Sequence, residues 1–280
     1  MKCKRLLMLA ASLLSIPFLS PGQRVYAPHS VLATGTWYKF SVKDPGIYKL
    51  DVPFLNSLGL NTSSIPSSSI RIFGNGGAML SEANNGTWID DLPENAILVV
   101  DGGDGVLNGS DYILMFANGP HEWLKDSINQ SFSHRKNLYS DRAFYFITIG
   151  GNGKRIALSP LLNSPTVTVT QFSERIFHEL DTVNFLSSGK EWYGEELSSL
   201  PGRALIRNFT VNIPNNIGNI QFKTECVARS VGASSRFDIR INNQQAGSLN
   251  IPQVNGGQYD LFAQSSLGNL ITAIDRKSVV

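Results

Sequence analysis

Residues 187–196 read SSGKEWYGEE and set Glu191, Glu195 and Glu196 within a few positions of Trp192 and Tyr193. Paired carboxylates beside aromatic rings are the equipment of glycoside hydrolysis, where two carboxyls stand roughly 5–9.5 Å apart across a sugar cleft. Glu191 and Glu195 share one short segment, with Gly194 between them. A strand would hold them on one face about 13 Å apart, and a helical turn would bring them closer. Neither geometry builds a cleft unaided. With Gly189 and Gly194 bracketing Trp192-Tyr193, the segment reads as an aromatic staple at a junction between two β-units.

A second constellation is DGGDGVLNGSDY (101–112), where Asp101, Asp104 and Asp111 stand among glycines and Asn108. Calcium takes several oxygen ligands from a tightly turning loop, so these three aspartates are the candidate calcium ligands. Aligning Gly105 with the invariant glycine of an EF-hand loop puts Asp104 at position 5 and Asp111 at position 12. Val100 then falls at position 1, where a carboxylate is needed, and the EF-hand match fails. An Asp/Gly-rich hairpin loop is the competing reading.

Other chemistry-bearing residues are weaker. Cys226 in FKTECVARS sits in an alternating strand pattern, remote in sequence from His29, His121, His134 and His178. That context predicts a small buried thiol rather than a nucleophile paired with a base. His121 and His178 each precede a Glu without completing a zinc pattern, and His134 in SHRKN reads as loop surface. The glycines of FGNGGAML (73–80) fit neither a P-loop nor a dinucleotide fingerprint, and predict a turn with positive φ. No cofactor is implied beyond the calcium candidate.

These residues must be carried by folded, turn-rich material. The chain has 280 residues, 42% hydrophobic and 16% charged, with 25 Gly and 13 Pro. Such a composition excludes disorder and favours a mainly β protein. MKCKRLLMLAASLLSIPFLS has a basic start and a short apolar run broken by Pro17, which predicts a secretory signal over residues 1–27. Residues 1–27 carry four positive charges (Lys2, Lys4, Arg5, Arg24) and no negative one, so a mature chain goes from +2 to −2. No basic stripe remains for nucleic acid, and no second long apolar run suggests a membrane span. In a mature chain without Cys3, Cys226 is the one cysteine left and cannot form an internal disulfide, so stability must come from apolar cores.

Along the chain, strand-like runs fall at 35–42, 46–52, 69–77, 96–100, 111–117, 142–150 and 166–172, with a short helix at 54–60 closed by Gly59. Phe172, Ile176, Leu180 and Val183 are spaced by four, four and three, which suits a connecting amphipathic helix or an extended crossover. LIRNFTVNI, NIQFKTECVARS, SRFDIRI and AGSLNI then follow between Asn/Gly/Pro turns, the pattern of an antiparallel β-sandwich. The expected organisation is a β-rich N-terminal domain over 28–186, a junction over 187–203 and a truncated sandwich over 204–280. The last residues, LGNLITAIDRKSVV, follow an incomplete sandwich and read as the interior of a longer chain.

Six stretches, in order, share a further likeness: SVLATGTWYKFSVKDPGIYKLDVPFLNSLGL, IRIFGNGGAMLSEAN, DDLPENAILV, GDGVLNGSDYILMFANGPHEWL, NLYSDRAFYFITIG and HELDTVNFLSSGKEWYGEEL. Together they resemble the N-terminal region of the PorU-type sortases of the type IX secretion system, gingipain-like cysteine peptidases of family C25 from Bacteroidetes. The likeness runs over roughly residues 30–265. It implies an exported protein at the outer-membrane surface, with the other proteins of the secretion shuttle complex and secreted cargo as partners. Full-length relatives remove the C-terminal signal of cargo and join the new end to anionic lipopolysaccharide. Their Cys nucleophile and His lie on a downstream caspase-like α/β domain that is absent from this segment. No catalytic Cys or His transfers to any position here, Cys226 included.

Two rivals stand beside this reading. One is a free-standing secreted β-module that binds glycans or partner proteins, with Trp88, Trp123, Trp192 and Tyr193 as stacking residues. The other is a small hydrolase resting on Cys226 and the Glu cluster.

Overall fold

The structure, a computed structural model, describes residues 26–86, 88–157, 159 and 166–272, with only the backbone for 269–272. The signal segment expected over 1–27 lies outside these residues except for Tyr26 and Ala27. Contacts divide the chain into two compact units, Met1–Pro165 and Thr166–Val280. The described residues are mainly β, as the composition and turn spacing imply, in antiparallel sheets with little helix.

The first unit holds β1 (Tyr38–Val42), β2 (Gly46–Asp51), β3 (Ile70–Phe73), β4 (Glu94–Asn95), β5 (Leu98–Val100), β6 (Tyr112–Ala117), β7 (Glu122–Asp126), β8 (Ser131–Arg135) and β9 (Ala143–Ile149). One sheet runs β1-β9-β3-β4 and another β2-β6-β5, while β7 and β8 form a separate hairpin. Period-two alternation decides which side chains go inside. Ala143, Tyr145 and Ile147 of β9 enter the same buried cluster as Ile113, Met115 and Ala117 of β6. Leu55, Leu60, Ile97 and Leu107 fill the cluster from the connections.

The turn Lys43-Asp44-Pro45 does not fold β1 back onto β2. It carries the chain from one sheet to the other, since β1 pairs with β9 and β2 with β6. Gly119 makes room for this corner: a Cβ there would stand 3.0 Å from both the Lys43 carbonyl and the Pro45 nitrogen. The short helix α1 spans Val52–Ser57, two residues ahead of the position expected from the apolar run. Asp51 sets that start by accepting a 2.9 Å bond from the Phe54 N–H, and Pro53 suits the first turn, where no N–H is needed. Gly59, at φ +91°, terminates it.

The sheet edge at β3–β4 is pinned by charge. Arg71 Nη2 lies 2.7 Å from Glu94 Oε2, and the Lys154 N–H donates to Glu94 Oε1 at 2.8 Å. The Arg71 hydrogen bond is the largest influence holding the Glu94 carboxyl below its usual 4.5, outweighing burial, which acts the other way. A depressed folded-state pKa gives stability above the unfolded value that is lost as pH falls. Glu94→Gln is therefore expected to cost about 1 kcal/mol at neutral pH, a discounted figure because Arg71 is one-third exposed. The same variant loses less than the parent as pH drops below 4.5. Urea midpoints at pH 7 and pH 3.5, read through exchange of β3 and β9 amides, check this. Equal pH slopes for the two proteins would count against it.

The second unit contains β10 (Ile220–Ala228), β11 (Ser235–Ile241), β12 (Gln244–Ile251) and β13 (Gln264–Thr272). β10 pairs with β13 and β11 with β12, both antiparallel. The β11–β12 hairpin turns through Asn242 and Asn243 at φ +49° and +65°, the paired positive-φ conformation that matches strand twist. Leu249 of β12 crosses onto β13 at Gly268, where a Cβ would meet Leu249 Cδ2 at 2.5 Å. Leu249, Ile251 and Val254 are this unit's buried apolar residues among those described.

Two local expectations change here: residues 166–172 and 205–213 form no strand. Of the two alternatives for 172–186, the helix does not form. Phe172, Ile176 and Leu180 remain exposed among the described residues, so the amphipathic face lacks the burial that stabilises such a helix. β13, in Ser/Gly/Asn-rich sequence, was invisible to periodicity.

Candidate functional site

The segment 187–196 folds back against 178–183. The Val183 N–H donates to the Tyr193 carbonyl at 2.8 Å, and the Tyr193 N–H returns a 2.8 Å bond to the Val183 carbonyl. Thr182 adds its N–H to the Tyr193 carbonyl and its hydroxyl to the Gly194 carbonyl, at 3.0 and 2.7 Å. Gly194 permits this approach, since a Cβ would stand 2.9 Å from the Leu180 carbonyl oxygen.

Two of the three carboxylates have side-chain partners close in the fold. Glu195 Oε1 lies 2.6 Å from His178 Nε2, and the His178 ring stands 4.9 Å from the Phe209 ring. Glu196 Oε2 pairs with Arg203 Nε at 2.9 Å, while its carbonyl accepts from Arg207. Tyr193 packs edge-on to Phe185 at 6.4 Å, and Phe185 meets Phe262, over which Arg229 sits at 4.2 Å. Burial, then the nearby Glu191 and Glu225 charges, pushes the Tyr193 hydroxyl up. Trp192 remains exposed. The His178–Glu195 pair was not legible beforehand: seventeen residues separate the partners, and no local motif joins them.

In the 101–112 loop each aspartate closes a local turn. Asp101 accepts from the Ser67 hydroxyl and from the Gly103 N–H at 3.1 Å. The Ser67 bond is the largest of the influences that lower the Asp101 carboxyl. Asp104 accepts from the Val106 N–H and the Asn108 amide, and Asp111 from the Asn108 N–H. A calcium ion held by Asp101, Asp104 and Asp111 would compete with these bonds. Among the described residues no three His, Cys, Asp or Glu side chains gather as a metal-ligand group.

Cys226 lies on β10 opposite Ser266 and is half-buried. Burial pushes its thiol up, which keeps it protonated, the opposite of what a nucleophile needs. His134 is not loop surface. It lies in β8, half-buried, with its ring 5.0 Å from Trp123 and 5.8 Å from His121, and desolvation lowers its pKa. The Asn137 N–H donates to His121 Nδ1 at 3.0 Å, which puts that ring's proton on Nε2. Trp88 stacks at a tilt with Tyr26, 5.5 Å away. The stacking candidates thus sit on separate elements: Trp88 in a connection, Trp123 in the β7–β8 hairpin, Trp192 and Tyr193 in the clasp. Among the described residues no helix is long and apolar enough to cross a membrane.

No family model matches the chain, and no curated protein does. Among solved structures it is similar to the crystal structure of dimeric latent PorU from Porphyromonas gingivalis, with a TM-score of 0.59 and 21% identity. The similarity covers 89% of this chain and 22% of that one. At this identity the likeness is one of fold: nearly the whole chain shares the architecture of about a fifth of the PorU polypeptide.

Proposed function

We propose that this chain is the N-terminal, non-catalytic portion of a PorU-like C25 cysteine peptidase and sortase. In full length such an enzyme cleaves the C-terminal signal of type IX secretion cargo and attaches the cargo to anionic lipopolysaccharide. The observation that carries the reading is the fold shared with PorU along 89% of the chain. The raised pKa of Cys226 and the engagement of Glu195 by His178 and of Glu196 by Arg203 support placing the chemistry elsewhere in the polypeptide. Export, an outer-membrane surface location and contact with shuttle-complex proteins and cargo belong to the same proposal. The β-units here position the peptidase domain or dock its partners. The free-standing binding module is the weaker alternative, because its aromatic candidates share no single element.

The test is the contiguous reading frame together with a variant of the full-length polypeptide. An α/β stretch carrying a His and, further on, a Cys is expected downstream, and Cys226→Ala is expected to leave cargo maturation unchanged. A stop codon directly after Val280, or maturation abolished by Cys226→Ala in a folded protein, would overturn the proposal.

A further inference from the structure

Two strips of the second unit have the chemistry of strands without the partners of strands. Residues 166–172 read TVTVTQF, and Val167 and Val169 are 73% and 80% exposed. Residues 205–213 read LIRNFTVNI, in which Phe209, Val211 and Ile213 alternate with Asn208, Thr210 and Asn212. Leu205, Ile206, Phe209 and Val211 are exposed. Neither strip has a ladder partner among the described residues. β-Branched and aromatic residues at period two are selected by a pleated surface that is at least half covered.

The strips also lack the devices that protect an open edge. Sheet edges that face solvent carry Lys, inward charges, Pro or bulges to prevent pairing with another chain. TVTVTQF contains no charge and no Pro. The one charge in LIRNFTVNI, Arg207, is turned onto the Glu196 carbonyl at 3.1 Å. Their alternate faces are neutral Thr and Asn, so nothing steers an acidic or basic partner or an anionic lipid surface toward them. What fits is main-chain pairing with an extended segment.

We infer that 166–172 and 205–213 become interior strands of a sheet completed by polypeptide from the remainder of a longer chain. This rests on the reading of the chain as part of a PorU-like protein. The fold it shares with PorU occupies only 22% of that chain, so the similar protein carries this architecture beside much more polypeptide. A segment on the same chain is present at high effective concentration and pairs without any charged recognition.

Hydrogen exchange on the full-length polypeptide tests this directly. Amides of 167–172 and 206–213 are expected to be protected about 100-fold or more over an unfolded chain. A photo-crosslinking residue at Val169 or Val211 is expected to link to peptides C-terminal to Val280 in the same molecule. Unprotected strips would overturn the inference. So would cross-links confined to residues 28–280, or protection that vanishes on dilution with links between copies. A reading frame ending at Val280 would remove the functional reading as well, whereas a longer chain with bare strips would remove this inference alone.

Discussion

Gly74→Ala is expected to destabilise the first unit by about 3 kcal/mol, lowering its melting temperature by about 10 °C. Gly74 follows β3 at φ +154°, and a Cβ there would stand 2.4 Å from Cδ1 of Tyr145 and 2.9 Å from its Cε1. Tyr145 cannot give way. It is 1% exposed, stacks on Phe40 with centroids 5.8 Å apart, and is fixed at its far end. Its hydroxyl accepts from the Asn118 N–H at 2.7 Å and donates to the Asn118 carbonyl at 3.0 Å. Displacing the ring would leave those two backbone groups without their partner. Gly102→Ala and Gly103→Ala separate the packing cost from the backbone cost. Both glycines have positive φ, at +64° and +88°, but a Cβ at either meets nothing within 4 Å. Each should cost about 1 kcal/mol, the ordinary penalty of a left-handed L-residue. Thermal unfolding, followed by exchange of β9 amides, reads all three. A Gly74→Ala effect no larger than that of Gly102→Ala would mean that the close approach to Tyr145 is unimportant.

The glycines of FGNGGAML therefore belong to packing, and the sequence carried part of that answer. Their spacing ruled out phosphate binding, and positive φ at Gly74 and Gly76 was expected of a turn. That the first glycine faces an aromatic ring seventy-one positions away could not be read, because nothing local encodes a long-range approach. The same division runs through the fold. β6 and β9 were legible, since alternating apolar residues announce a strand buried on one face, and Asp51 with Pro53 marks a helix start. β13 was not, because QSSLGNLIT draws its structure from the nine-residue ladder with β10. In the opposite direction, TVTVTQF and LIRNFTVNI carry strong β propensity that is unmet among the described residues. Propensity expresses what a segment fits, and it becomes structure only where a partner supplies the other half of the ladder. In the carboxylate cluster the residue types suggested acid–base work, and the sequence did not announce that His178 contacts Glu195 and Arg203 pairs with Glu196.

Gly194→Ala is expected to open the clasp at 178–196 without unfolding either unit. The new methyl would stand 2.9 Å from the Leu180 carbonyl oxygen and 3.2 Å from Leu180 Cβ, and backbone on that side has no flexible end to move. Relief requires the two segments to separate, which lengthens the reciprocal bonds between Val183 and Tyr193. Exchange of those two amides should accelerate about 30-fold, equivalent to about 2 kcal/mol of local opening. Gly189→Ala, in the same segment but with nothing within 4 Å, should leave their exchange unchanged. His178→Ala provides the opposing comparison. It deletes the 2.6 Å contact to Glu195 but leaves the backbone bonds in place. His178 is half exposed, so water and salt screen that pair and its loss should matter less than 1 kcal/mol. Were His178→Ala to loosen the amides more than Gly194→Ala, the clasp would be electrostatic, and added salt would open it in the parent protein too. The expected order, with Gly194 dominant and His178 minor, makes SSGKEWYGEE a segment held by close backbone approach, with Tyr193 packed against Phe185 and Glu195 and Glu196 held by His178 and Arg203.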